Sequence, residues 1–146
     1  MFDPKTAPYA ALLLRLSLGL LFLAHAGLKY FVFTPAGTEK FFASLGLPGW
    51  MGVLIMAVEA LGGIALILGF HARIVAILLV PDLLGAVALV HIHAGFFFTA
   101  PGGGWEYPAF WAVALIALAL IGDGAYALRP TALAHAPIAH APIARR

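Results

Sequence analysis

Glu59 and Asp82 each stand in the middle of a run of apolar residues long enough to cross a membrane, where a charge has no water to hold it. A charged side chain at that depth costs at least about 2.5 kcal/mol on insertion scales, so each needs a partner or a task. Arg15 lies inside another such run, about three to five residues from its centre on the N-terminal side. At roughly 1.5 Å per residue its side chain can reach the depth of the two acids. His25 and Lys29 follow one turn apart in the same run, His93 closes the run that holds Asp82, and Glu106 opens the last one. Carboxylates near bases at membrane depth suit the relay of a proton, with Glu59 and His25 as the groups that would move it. Lys29, His93 and Glu106 could hold an oxygen-bearing or anionic ligand, while Arg15, Asp82 and Arg73 could serve as charge partners. The plainer alternative is an internal ion pair that fixes helix register and does nothing else.

Metal chemistry is a weaker reading of the same residues. His91 and His93 differ in helical phase by about 200°, so they cannot chelate from one face. A site from His25, His93 and Glu106 would leave an open coordination position, as catalytic metals need, and a haem bracketed by His25 and His93 fits on depth alone. Nothing in the spacing demands either, and no metal ligand is assigned.

The elements that must carry these residues follow from composition. The chain is 64% hydrophobic and 10% charged, with a mean hydropathy of +1.04. Soluble domains run near 25% charged, so most of this surface faces lipid. Length of 146 residues allows one domain. The formal charge of +2 and pI near 9.2 do not mark a nucleic-acid partner, because the basic residues sit at the ends of apolar runs. The absence of cysteine excludes thiol catalysis, disulfides and iron–sulfur ligation by this chain.

Four apolar stretches, 9–33, 50–70, 72–95 and 106–128, are long enough to span, which predicts an all-α bundle of four transmembrane helices over residues 1–130. With both termini in the cytoplasm, Lys5, Arg15, Arg73, Arg129, Arg145 and Arg146 lie on or toward the inner side. Lys29 and Lys40 lie outside, a bias that the opposite topology would invert. Trp50, Trp105, Tyr107 and Tyr30 gather at the outer ends as an aromatic belt would. The first stretch carries Arg15 and is too long for a removable signal peptide. Between the first two spans, Thr34-Pro35 reads as an N-cap with proline at the first helical position, and Gly46 and Pro48 as a stop. A short helix lying in the outer interface is the expectation. The outer loop 99–104 contains Pro101 and three glycines but no phosphate-loop ending. After Pro130 the repeated Ala-His-Ala-Pro-Ile reads as a disordered cytoplasmic tail, 131–146, with weak metal binding by its two histidines as the alternative.

Helical phase then places the polar groups. Gly52, Met56, Glu59 and Gly63 share one face, and small residues on such a face mark close helix packing, so Glu59 points inward. Arg15, Gly19, Phe22 and Lys29 form a stripe with His25 nearby. Asp82, Gly85, Ala86 and Leu89 form another, with His93 almost three turns on and His91 opposite if the helix stays regular past Pro81. Pro81 removes a backbone donor and should free the Ile77 carbonyl, which suits either a binding cavity or a packing kink.

The chain resembles the DoxX family of small bacterial four-span membrane proteins over roughly residues 10 to 129. The residues that carry the resemblance are Arg15-Leu-Ser-Leu-Gly-Leu-Leu-Phe, His25-Ala-Gly-Leu-Lys29, Gly46-Leu-Pro, and Glu59-Ala-Leu-Gly-Gly-Ile-Ala-Leu-Ile-Leu-Gly69 followed by Arg73. His93-Ala-Gly-Phe-Phe and Gly-Gly-Trp-Glu106-Tyr complete the order. Gly122-Asp-Gly-Ala-Tyr-Ala-Leu128 looks like the family's closing Gly-x-Gly-x-x-Ser-Leu-Asp, with Ala127 and Arg129 in place of its serine and aspartate. The resemblance implies a multi-pass protein of the bacterial inner membrane, associated with quinone-linked oxidoreduction, thiol balance or oxidative stress. It carries over to Arg15, His25, Lys29, Glu59, Arg73 and Glu106. On this reading Glu59 relays a proton and His25 and Lys29 hold a quinone carbonyl or an anionic substrate. Quinone is the cofactor so implied, and the partners are the bilayer and either a redox subunit or further copies of the chain. A small-solute or proton pathway and a non-catalytic assembly subunit are the alternatives.

Overall fold

The computed structural model describes residues 3–131 as helices joined by tight turns. Helix α1 spans Ala7–Gly27 and runs on through a π-helical turn, Leu28–Val32; α2 spans Pro35–Ser44 and α3 Trp50–Leu68. Helix α4 covers Ala72–Ala86, continues through a second π turn, Val87–His91, and ends in a 3₁₀ turn, Ile92–Ala94; α5 covers Glu106–Ile121. Three of these, Ala7–Val32, Trp50–Leu68 and Ala72–Ala94, are long and apolar enough to cross a membrane. The 16 residues of α5 are apolar too, but rise only about 24 Å at the helical rise per residue.

Local sequence explains the boundaries. Pro8 lies in the first turn of α1, where a missing N–H costs nothing. Thr34 caps α2 as its sequence suggests, its hydroxyl accepting from the Gly37 N–H at 3.2 Å. Gly69 ends α3 in the left-handed conformation (φ +69°), and the three residues Gly69, Phe70 and His71 turn the chain into α4. Pro81 leaves α4 continuous, and the register changes six residues later in the π turn. Helix α5 stops at Ile121, well short of residue 128. Gly122 breaks away (φ +123°), and the apolar residues that follow belong to a separate closing segment.

The bundle packs on small residues and aliphatic side chains. Gly52, Met56, Glu59, Gly63 and Leu66 form the buried face of α3, the face that sequence phase picks out. A Cβ on Gly63 would come within 2.8 Å of the Gly19 carbonyl, so α1 and α3 approach backbone to backbone. Helices α4 and α5 meet along Ala72, Ala76, Leu79 and Leu83 on one side and Trp111, Leu115 and Leu118 on the other. Outward faces are strongly apolar, with Leu13, Leu61, Leu78 and Leu120 each more than two-thirds exposed. Such a surface is stable only against lipid.

Residues 122–131 close the end of the bundle at which α1 and α4 begin, here the terminal end. The Ala125 N–H donates to Pro8 O (2.8 Å), Leu128 N–H to Leu68 O (3.0 Å) and Arg129 N–H to Gly69 O (3.2 Å). His71 N–H returns a bond to Arg129 O (2.8 Å), and Phe70 and Arg129 form a parallel bridge. The tail read as disordered lies, beyond Thr131, outside the described residues.

Candidate functional site

In a helix each Cα–Cβ bond tilts toward the N-terminus. Lys29, near the far end of α1, therefore leans back into the bundle, while Glu59 on antiparallel α3 leans to meet it. Lys29 Nζ donates to both carboxylate oxygens of Glu59, at 2.6 and 2.7 Å. Glu59 is 4% exposed. The π turn that carries Lys29 is itself held, because its backbone carbonyl accepts from the Thr38 hydroxyl at 3.3 Å. Thr38 is buried where α2 folds back on Gly52 of α3.

Two further groups join the pair. The Asp82 carboxyl lies close enough to feel the charges of Glu59, Lys29 and His25. Asp82 stands beside the buried stripe of α4 and is half-buried. Gly85, one turn on, borders open space: a Cβ there would meet nothing within 4 Å. His25 Nδ1 lies 3.0 Å from the Leu21 carbonyl. A carbonyl only accepts, so Nδ1 carries the proton and Nε2 is left for another group. The His25 ring stands edge-on to Trp111, 4.9 Å between centroids.

Trp111 was not conspicuous in the sequence. It is buried at 4%, packed on Phe22, and its indole N–H makes no hydrogen bond among the described residues. A buried donor without an acceptor is costly in an apolar medium. Only its place among the apolar residues of the fourth stretch hinted that it faces the core.

Arg15 takes a different place from the one its depth suggested. The same backward tilt carries it away from Glu59 and toward the terminal end. There it is 1% exposed, and its Nη2 donates to the Ala125 carbonyl of the closing segment at 3.0 Å. Its nearest opposite charge is Asp123, a residue the apolar patterning left unmarked. Asp123 Oδ1 accepts from the Arg73 backbone N–H (3.3 Å) and the Thr131 hydroxyl (3.0 Å), and Oδ2 from the Thr131 N–H (3.0 Å). The available signal was an acid between two glycines directly after an apolar run. Arg73 also donates from Nη2 to Ile121 O at 3.4 Å.

The candidates at the other end of the bundle divide. The π turn adds a residue to the helical repeat and reverses the expected phase. His91, not His93, turns toward the protein, its Nδ1 2.7 Å from the Gly103 carbonyl. His93 is exposed. Glu106 Oε1 accepts from the Phe98 N–H at 2.7 Å and fixes the loop that precedes α5. His25, His93 and Glu106 are thus not brought together, and no three His, Asp or Glu side chains converge with metal-site geometry among the described residues.

The family model for DoxX matches residues 10–92, which hold Lys29, Glu59, Asp82 and His25 together. The chain belongs to the DoxX family. It is also 36% identical over 126 residues to the "Putative oxidoreductase CatD" of Bacillus subtilis (strain 168), covering 86% of this chain and 89% of that one. No solved structure matches it. As a DoxX protein it is a multi-pass membrane protein, and its exposed apolar helices lie in the bilayer.

Proposed function

We propose that this DoxX protein is the membrane part of an oxidoreductase system, and that the Lys29–Glu59–Asp82–His25 cluster binds and protonates a quinone or a similarly small oxidised substrate. The observation that carries the reading is the buried Glu59, held bidentately by Lys29 with a second carboxyl in reach at the depth of the membrane. In this reading four helices span the bacterial inner membrane with both termini in the cytoplasm. Helix α5 is the short one, and the closing segment lies at the cytoplasmic face. The basic residues Arg15, Arg73 and Arg129 at that end favour this orientation.

Reducing a quinone takes two electrons and two protons and makes two O–H bonds. The electrons come from a partner redox protein, and this chain supplies position and protons. In this reading Glu59 and Asp82, close enough to feel each other's charge, pass the proton to the substrate. The orphan indole N–H of Trp111, beside His25, is a donor suited to a carbonyl oxygen. Open space at Gly85 lets a lipid-soluble substrate approach Asp82 from the hydrocarbon.

A second reading has its own support: with both oxygens of Glu59 on Lys29, the pair is well formed as a lock between α1 and α3. One titration separates the two. Purified protein in nanodiscs is titrated with a short-chain quinone analogue while tryptophan emission is followed, Trp111 being the nearest reporter. Saturable quenching that weakens in Glu59→Gln and in the exchanged pair Lys29→Glu/Glu59→Lys supports the site. Quenching absent from folded wild-type protein leaves the lock.

A further inference from the structure

Away from that cluster, α4 and α5 leave between them an apolar groove of about 410 Å³ on the outer face of the bundle. Ile74, Ile77 and Leu78 form one wall, and Ile116 and Leu120 the other. All five are exposed, on helices that lie in the bilayer. At the terminal end of the groove stands Arg73. Its guanidinium makes one long bond, 3.4 Å to the Ile121 carbonyl. Among the described residues no carboxylate lies within 4 Å of it, since Asp123 takes the Arg73 backbone N–H instead. The groove therefore joins lipid-facing hydrocarbon to a planar cationic fork at the level where the helices end.

The charge around it is net positive. Arg15, Arg73 and Arg129 stand at this end against Asp123, three positive charges to one negative, while Lys5 and Asp3 cancel. The positive balance is not spread over a water-facing domain. It is gathered where headgroups of the leaflet would lie.

We propose that this groove is a binding site for an anionic phospholipid, with the headgroup phosphate on Arg73 and an acyl chain along Ile74, Ile77, Leu78, Ile116 and Leu120. The guanidinium matches a phosphate's oxygens with two parallel donors, which an ammonium cannot do. The apolar walls add the burial that a free anion would not provide. The site does not depend on the quinone reading, because none of its residues belongs to the Glu59 cluster.

The test is lipid binding to delipidated protein by native mass spectrometry, comparing phosphatidylglycerol with phosphatidylcholine of the same chains. The wild-type protein is expected to retain phosphatidylglycerol preferentially. Arg73→Gln, which keeps a donor for the Ile121 carbonyl, is expected to lose about fivefold in affinity for it, with phosphatidylcholine little changed. Ile77→Trp fills the groove without touching the charge and should displace the lipid as well, which keeps the test decisive if Arg73→Gln folds poorly. Equal retention of the two lipids by wild-type protein overturns the proposal. So does undiminished preference in Ile77→Trp. Competition by millimolar inorganic phosphate as effective as by the lipid would overturn it too, by showing an anion site without a lipid.

Discussion

Lys29 closes on both oxygens of Glu59, whereas Arg15, on the same face of α1, ends against the Ala125 carbonyl at the other end of the bundle. Two bases on one stripe thus serve two opposite ends. The division follows from the tilt of helical side chains toward the N-terminus, which sends Lys29 inward and Arg15 outward along α1. It separates the cluster around Glu59 from a closure of the terminal end.

The ion pair is expected to behave asymmetrically on mutation. Lys29→Met leaves the Glu59 carboxylate buried without its counter-charge, and should cost about 3–5 kcal/mol. Lys29→Met/Glu59→Leu removes both charges and should recover most of that loss. Unfolding in mixed micelles, followed by circular dichroism, measures both. A single variant as stable as wild type would show that Glu59 is held by something other than Lys29.

His25 is expected to contribute to ligand binding more than to folding. His25→Phe keeps a ring against Trp111 but removes both nitrogens. Loss of one net hydrogen bond of about 0.5–1.5 kcal/mol corresponds to roughly two- to tenfold weaker binding of a quinone analogue. Trp111→Phe, which removes the orphan N–H, should weaken binding by a similar factor while leaving the fold as stable or more so. Equal affinity of both variants with wild type would remove His25 and Trp111 from the site.

The glycines make a paired prediction. Gly63→Ala places a methyl 2.8 Å from the Gly19 carbonyl, forces α1 from α3, and should cost about 1–3 kcal/mol. It should also loosen the Lys29–Glu59 pair, which bridges the same two helices. Gly85→Ala meets open space and gains helix propensity, so it should be neutral or stabilising by up to about 1 kcal/mol. Thermal unfolding of the two variants side by side checks the contrast, and an equal effect would contradict the close approach at Gly63.

Much of this was legible in the sequence, for identifiable reasons. The face Gly52, Met56, Glu59, Gly63 obeys one helical period, and α3 is regular from end to end, so phase alone placed Glu59 inside. Thr34-Pro35 announced α2 because its cap is local chemistry. His93 was misplaced because the phase argument assumes a regular helix, and the π turn at Val87–His91 shifts everything after it. Helix α5 looked longer than it is because Ala125, Ala127 and Leu128 are apolar, though they belong to a non-helical, turn-containing segment beyond Gly122. Arg15 was matched to the wrong acid for want of Asp123, whose role depends on that segment folding back across the bundle.

Asp123 is therefore the place to test the closure of the terminal end. Its carboxylate joins the start of α4 to Thr131 and is the opposite charge nearest the buried Arg15. Asp123→Ala removes three hydrogen bonds at once and the opposite charge that faces the buried Arg15. Hydrogen exchange at Leu128, Arg129 and Thr131 should then quicken sharply, since those amides are held in or beside the closing segment. Exchange at α3 near Glu59 should be little altered. If Arg15 and Asp123 act as one unit, Arg15→Met/Asp123→Ala will be less destabilised than the sum of the single variants, by about 0.5–3 kcal/mol. Strict additivity would mean that Arg15 and Asp123 hold the segment independently, each through its own contacts to the Ala125 carbonyl and to Arg73 and Thr131.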